Sequence, residues 1–257
     1  MSPASGISKM DEWHVSVVAE TGSTNDDLLR AAEQGELADR TVLRTEHQTA
    51  GRGRLDRRWD APAGSNLLAS MYLMSPGDRP TSMLQRVGVA IVDAVNQLAG
   101  LKIEASKRAT LGLKWPNDVL YDGRKLAGVL AQRSTSAPGL IVGFGVNVAW
   151  APPEAARVND LVDCTAEQLL VEVLNAFDAQ SGDPAVLAQT YRARLLTLGQ
   201  FVRVHLPGNM TFEGEAVDID AEGRIIVVSE MGKKRVFDVG DVVHLRPGTH
   251  GAGIASD

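Results

Sequence analysis

Apolar positions recur along this chain with two periods, and the change from one to the other divides it. Trp13 to Ala19 alternates well enough to predict a first strand. Ser23-Thr24-Asn25-Asp26 then supplies N-cap side chains to a helix carrying Leu28, Leu29, Ala31 and Ala32, which Gly35 can close. Val42 to Thr45 predicts a short strand, followed by an arginine- and glycine-rich loop from Gln48 to Arg58 and a further strand at Leu67 to Met74. Leu84, Val87, Ile91, Val95 and Leu98 fall on one face of a helix over Met83 to Ala99. Asp122-Gly123 is a two-residue turn signal, which predicts a hairpin with arms Lys114 to Tyr121 and Lys125 to Gln132. Leu140 to Val148 reads as another strand. Thr165 and Gln168 have capping-box spacing before Leu169, Leu170, Val173, Leu174 and Phe177, and Pro184 to Leu196 predicts one more helix.

From Gly199 the grammar becomes short strands separated by turn chemistry: Phe201 to Leu206, Phe212 to Ile219, Arg224 to Ser229, Arg235 to Val239 and Val242 to Leu245. The pattern therefore predicts an α+β protein. A domain of mixed α and β elements would span residues 13–198 and a small β-barrel 199–247, with disordered tails at 1–12 and 248–257.

Composition narrows the classes. The chain has 257 residues, is 44% hydrophobic and 23% charged, and carries a net charge of −6. That balance opposes broad electrostatic binding to DNA or to an anionic membrane. The single cysteine, Cys164, excludes an internal disulfide framework and a multi-cysteine zinc site. No window approaches the roughly 18 apolar residues of a membrane span, and no signal-peptide core opens the chain, so a soluble, cytoplasmic protein is expected.

Three segments carry candidate chemistry. In Lys114-Trp115-Pro116-Asn117-Asp118 through Lys125-Leu126-Ala127-Gly128, ionisable groups stand among apolar residues, and a buried ammonium requires an anionic ligand or a paired carboxylate. The other reading is an exposed hairpin with its charges in water. Between Gln48 and Trp59, four arginines fall at positions 52, 54, 57 and 58, while Gly51 and Gly53 free the backbone. Such a loop suits phosphate or carboxylate; a surface loop or a nucleic-acid patch is the alternative. In Gly143-Phe144-Gly145-Val146-Asn147, alternation puts Gly143, Gly145 and Asn147 on one face, where a ligand or a packed helix could come close. A Rossmann fingerprint, a P-loop, a serine nucleophile elbow and clustered metal-ligand motifs are absent from the sequence.

Taken in order, these segments resemble the biotin protein ligase family. The similarity rests on Ser23-Thr24-Asn25, Gln48-Thr49-Ala50-Gly51-Arg52-Gly53-Arg54, Lys114-Trp115-Pro116-Asn117-Asp118 with Lys125-Leu126-Ala127-Gly128, and the glycine strand ending at Asn147. It covers residues 13–246 and implies a catalytic domain of the class II aminoacyl-tRNA synthetase and biotin ligase type, followed by an SH3-like barrel. It also implies two steps. Biotin and ATP, with Mg²⁺, give biotinyl-adenylate, and a lysine of a biotin carboxyl carrier domain then takes the biotinyl group.

By the same resemblance, Ser23, Thr24, Asn25 and Gln48 hold the ureido ring and its surroundings, and Gly51 lines that pocket. Arg52, Arg54 and Arg57 clamp carboxylate and phosphates. Trp59 and Asn147 contact the adenylate. Lys125 neutralises the reacting oxygens, while Lys114 and Asp118 support nucleotide and metal. The glycine-containing loop is expected to close over the ligand, and Cys164 has no role.

Leu55-Asp56 departs from the family, which often has a basic or small residue and then glycine there. Only about a dozen residues precede the first strand, against about sixty for a helix-turn-helix domain, so direct operator binding is not expected. A monomer or weak homodimer is anticipated. The rivals are a lipoate ligase or octanoyl transferase of the same fold and, from another class, a nucleic-acid-binding protein.

Overall fold

The computed structural model describes residues 12–54, 57–74, 80–100, 111–206, 208, 210–238 and 241–244. Leu55-Asp56, both terminal tails and the end of the last expected strand lie outside these residues. The elements run β1 (His14–Thr21), α1 (Thr24–Glu33), β2 (Thr41–Gln48), β3 (Leu67–Leu73), α2 (Pro80–Leu98), β4 (Leu111–Lys114), β5 (Asp118–Tyr121), β6 (Arg124–Gln132), β7 (Leu140–Val146), α3 (Ala166–Ala179), α4 (Pro184–Arg194), β8 (Phe201–Leu206), β9 (Met210–Ile219), β10 (Ile225–Val228), β11 (Lys234–Phe237) and β12 (Asp241–His244).

Seven strands form one mixed sheet in the order β1-β2-β3-β7-β6-β5-β4, parallel between β1 and β2 and antiparallel elsewhere. One face is covered by α2 and α3. Val42, Leu67, Ala69, Met71, Val142, Phe144 and Val146 point into this main core with Val87, Ile91 and Val95 of α2 and Leu169, Val173 and Phe177 of α3. At about 25 cal/mol per Å² of buried apolar surface, a core this extensive dominates the stability of the fold. The opposite face is only partly covered: α1 lays Leu28 and Ala32 over Tyr72 and Ile141. The rest of that face is left for a site.

The chain's second sheet is antiparallel, with order β11-β10-β9-β8-β12, around Val202, Val204, Ala216, Ile225, Val227 and Phe237. It docks on the first sheet at Trp115, whose indole N–H donates to Gly223 O at 3.0 Å and whose backbone N–H donates to Thr197 Oγ1 at 3.0 Å.

Local chemistry explains most boundaries. Ser23 caps α1, accepting from Asp26 N–H, and Thr165 with Gln168 forms the reciprocal capping box of α3. Asp122 and Gly123 have φ of 50° and 73°, the left-handed pair that matches the twist of a tight hairpin.

One expectation needs correction. The first hairpin arm, Lys114 to Tyr121, is not continuous: the chain turns at Trp115-Pro116-Asn117, where the Trp115-Pro116 peptide is cis, and Lys114 ends β4 while Asp118 begins β5. Proline removes a ladder donor, so a strand cannot run through it in the middle of a sheet. The result is a three-stranded meander with β4 on the edge.

Candidate active site

The uncovered sheet face is built in rows. Across β3, β7 and β6, one row reads Leu68, Gly145, Gly128, the next Ser70, Gly143, Leu130, and the third starts at Tyr72 and Ile141 and ends at Gln132. The glycines make room. An ideal Cβ on Gly145 would stand 2.5 Å from the Trp59 ring, and one on Gly143 would stand 2.8 Å from Asn25 Cγ. A bare strand face therefore receives two side chains brought from other elements, Asn25 from α1 and Trp59 from the loop after β2. The expectation of close approach to Gly143 and Gly145 holds, with protein side chains occupying the space. Around them lies a cavity of about 400 Å³, bordered by Ser23, Thr24, Asn25, Gln48, Arg52, Arg54, Arg57, Trp59, Asp118, Lys125 and Asn147. That is the size of a small-molecule site.

One end of the cavity is neutral and buried. Ser23, Thr24, Asn25 and Ser70 are at most 5% exposed. Thr24 Oγ1 and Ser70 Oγ are 2.6 Å apart, Ser70 donates to Asn25 Oδ1 at 2.6 Å, and Asn25 Nδ2 donates to Gln132 Oε1 at 2.6 Å. Gln48 Oε1 accepts from the Thr24 backbone N–H at 2.9 Å, satisfying one free amide of the helix start. Ser70 and Gln132 are additions to the expected residues. The signal in the sequence was the alternation of β3 and β6, which puts both on the face of Gly143.

The other end is cationic. The loop after β2 folds back on itself through an Arg52–Arg58 bridge, with Gly53 N–H donating to Arg57 O at 2.7 Å and Trp59 N–H to Gly51 O at 3.0 Å. Gly51 is obligatory because a Cβ there would lie against Trp59 O and 2.9 Å from Gln48 Nε2. Arg52 pairs with Asp26 at the start of α1, and Arg54 donates to Asn117 Oδ1 at 3.1 Å. Asn117 was quoted in the sequence motif without a role. Here its Nδ2 donates to Val129 O at 2.9 Å and its Oδ1 anchors Arg54. Arg58 instead serves the loop, donating to Thr49 O at 3.1 Å.

Lys125 reaches this end through a β-bulge. Val119 pairs with Ala127 but Leu120 pairs with Lys125, so Leu126 is an extra residue on β6. Leu126 and Ala127 both enter the core with no exposed surface, and Lys125 moves to the cavity side beside Gly128. Its Nζ stands 2.7 Å from Asp118 Oδ1 and 5.6 Å from the centre of the Trp59 ring. The contact with Asp118 is off the line of a directed hydrogen bond and is therefore Coulombic. The Trp59 indole N–H is buried and has no acceptor among the described residues.

One expected site residue lies off the cavity, and another borders it with its amide already engaged. Lys114 pairs with Asp118 across β4 and β5 but does not border the cavity. Its charge instead acts on His244 at the junction of the two sheets. Burial and then Lys114 lower the pKa of His244 to about 4. Asn147, expected to contact an adenylate, spends both amide hydrogens on backbone, Ala156 O at 3.0 Å and Lys125 O at 3.3 Å. It therefore holds the backbone at Lys125. Metal binding by protein groups alone has no support in the donor set: among the described residues no three His, Cys, Asp or Glu side chains converge, and Asp118 is already paired.

The family profile described as biotin/lipoate A/B protein ligase family matches residues 17–148, and the one described as biotin protein ligase C terminal domain matches residues 197–245. The biotin–acetyl-CoA-carboxylase ligase of Mycobacterium tuberculosis is 41% identical over 245 residues, 90% of this chain and 88% of the relative. The ligase of the same name from Paracoccus denitrificans is 39% identical over 54% of this chain and 57% of its own length. Among solved structures, the biotin protein ligase from Aquifex aeolicus in complex with biotin and ATP superposes with a TM-score of 0.73 at 24% identity, over 91% of this chain and 99% of that one, which shows the shared fold. By the length and identity of these matches, the chain belongs to the biotin/lipoate A/B protein ligase family.

Proposed function

We propose that the two ends of this one cavity divide the work of an ATP-dependent biotin protein ligase. The chain is a ligase that joins biotin to AMP and passes the biotinyl group to protein. In the first step a biotin carboxylate oxygen attacks the α-phosphorus of ATP, and the bond to the bridging oxygen breaks as pyrophosphate leaves. In the second the amine of a carrier lysine attacks the acyl carbon of the mixed anhydride, AMP leaves, and the amine loses its proton.

The observation that carries this reading is the continuity of the cavity from a neutral hydrogen-bonding end to a cationic end. The neutral end, Thr24, Asn25 and Gln48, suits an uncharged cyclic urea. The cationic end suits the meeting of two anions, where preorganised positive charge lowers the barrier most. Arg52, Arg54 and Arg57 clamp carboxylate and phosphates, and Lys125 neutralises the oxygens that react. Its contact with Asp118 leaves the ammonium poised to exchange a carboxylate for the ligand. Trp59 offers its ring and its unsatisfied N–H to the adenylate. Asn147 and Asn117 position Lys125 and Arg54, and Lys114 is relegated to the sheet junction.

Mg²⁺ enters with ATP as the substrate's counter-ion, since among the described residues no three His, Cys, Asp or Glu side chains converge. The acceptor is a lysine of a biotin carboxyl carrier domain in the cytoplasm, and the ligase acts as a monomer or weak homodimer.

Biotin-dependent exchange of labelled pyrophosphate into ATP tests the reading. Exchange with biotin and none with lipoate is expected. Exchange with lipoate and none with biotin would move the protein to the other branch of its family.

A further inference from the structure

The hydrogen bonds at the neutral end have a direction that can be worked out by counting hydrogens. Asn25 Oδ1 accepts only, so Ser70 gives it the single hydroxyl hydrogen it has, at 2.6 Å. Ser70 Oγ must then accept in its 2.6 Å contact with Thr24 Oγ1, so Thr24 donates there. Gln48 Oε1 also lies within 3.1 Å of Thr24 Oγ1 and could only accept. Thr24 has one hydrogen for two acceptors; the shorter contact takes it, and Gln48 Oε1 retains the Thr24 backbone N–H at 2.9 Å. At the far end, Asn25 Nδ2 donates to Gln132 Oε1 at 2.6 Å and leans on Leu130 O at 3.4 Å. Every hydrogen in the line Thr24, Ser70, Asn25, Gln132 therefore points away from Thr24 toward Gln132.

We propose that Gln132, which lies outside the cavity, is a positioning residue that sets this polarity. Its side-chain oxygen fixes the rotation of the Asn25 amide, and Asn25 orients Ser70, which in turn draws the Thr24 hydrogen away from the cavity. Thr24 Oγ1 then presents lone pairs to the ligand and selects a group that donates N–H, as a cyclic urea does. Without an acceptor at position 132, only the long 3.4 Å contact to Leu130 O holds the Asn25 amide, too weak to stop it turning over. Nδ2 would face Ser70, the line would reverse, and Thr24 would present a hydrogen instead. Buried hydrogen-bond lines are cooperative, so a change at one end reaches the other. The inference rests on the assignment of this end of the cavity to the ureido group.

Pyrophosphate exchange on the full chain, with biotin and ATP varied separately, provides the test. For Gln132→Leu the KM for biotin is expected to rise about fivefold or more while the KM for ATP stays at the wild-type value. Gln132→Glu retains an obligate acceptor and is expected to behave as wild type. Gln132→Met, close to glutamine in length, carries the same test if leucine disturbs the strand. The proposal is overturned if the apolar variants match wild type, if Gln132→Glu is as impaired as Gln132→Leu, or if both KM values rise together. A wild-type protein with no biotin-dependent exchange would defeat the assignment of the ureido end itself, an outcome distinct from all three.

Discussion

The two ends of the cavity are held by different physics. At the neutral end, Thr24, Asn25 and Ser70 are almost wholly buried and their partners stand on strands and at a capped helix start. An unpaired polar group there would cost about 1–3 kcal/mol, so the donor and acceptor pattern is rigid. At the cationic end the side chains of Arg52 and Lys125 keep 55% and 39% of their exposure. Ion pairs this exposed are worth about 0–1 kcal/mol, so Arg52 can leave Asp26, and Lys125 can leave Asp118, for a ligand at little cost. Under the proposed division of the cavity, recognition is built where the protein cannot rearrange, and charge neutralisation where it can.

The largest expected effect comes from the cationic end. Lys125→Ala should lower the rate of adenylate formation by about 10²–10³-fold, with an unchanged circular dichroism spectrum. Single-turnover measurement of biotinyl-adenylate checks it, and a rate near wild type would remove Lys125 from the chemistry.

A pair of glycine substitutions separates the ends more finely. Gly143→Ala puts a methyl group against the Asn25 amide, whereas Gly145→Ala puts one 2.5 Å from the Trp59 ring. Each should cost about 1–3 kcal/mol of stability through overpacking, visible as a lower Tm. Their kinetics should diverge, about tenfold in the KM for biotin in the first case and mainly in the KM for ATP in the second. Identical kinetic profiles would dissolve the distinction between the ends.

The smallest effect is on pH dependence at the sheet junction. His244 has its folded pKa lowered to about 4 from an ordinary 6.5 by burial, assisted by the Lys114 charge, and its Nε2 lies 3.2 Å from Thr197 Oγ1. Between those values the unfolded chain binds more protons than the folded one. The contribution of neutral His244 is thus fully present above pH 6.5 and is lost as pH falls toward 4. Thermal unfolding followed from pH 7 to 4 should show a slope that His244→Gln flattens. Because Thr197 also holds Trp115 beside Asn117, acidification should raise the KM for ATP before that for biotin. A reversed order would show that the junction does not support the cationic end.

Much of this arrangement was legible in local chemistry. The Ser23 cap, the Thr165–Gln168 capping box, the Asp122-Gly123 turn, the helical stripe of α2 and the bare face of Gly143 and Gly145 all depend on neighbours within a few residues, where periodicity and backbone sterics suffice. The rest required partners distant in sequence. Lys114 lies off the cavity because the sheet order sets β4 at the edge, two strands beyond β6. The amide of Asn147 is consumed by Ala156 and Lys125, 9 and 22 residues away. Gln132 and Ser70 gained roles only once α1 was laid across their strands, 107 and 45 residues from Asn25.

Lys125 shows where the boundary falls. By itself the sequence determined that a lysine precedes the apolar run Leu126-Ala127-Gly128-Val129-Leu130, and that strands in this region alternate their faces. Strict alternation back from Gly128 would have sent Lys125 to the core face with Ala127 and Val129. The bulge at Leu126, created by pairing with β5, slips the register by one residue and turns Lys125 into the cavity. Local sequence sets a side chain's period. The phase of that period, which decides between core and active site, comes from pairing with another strand.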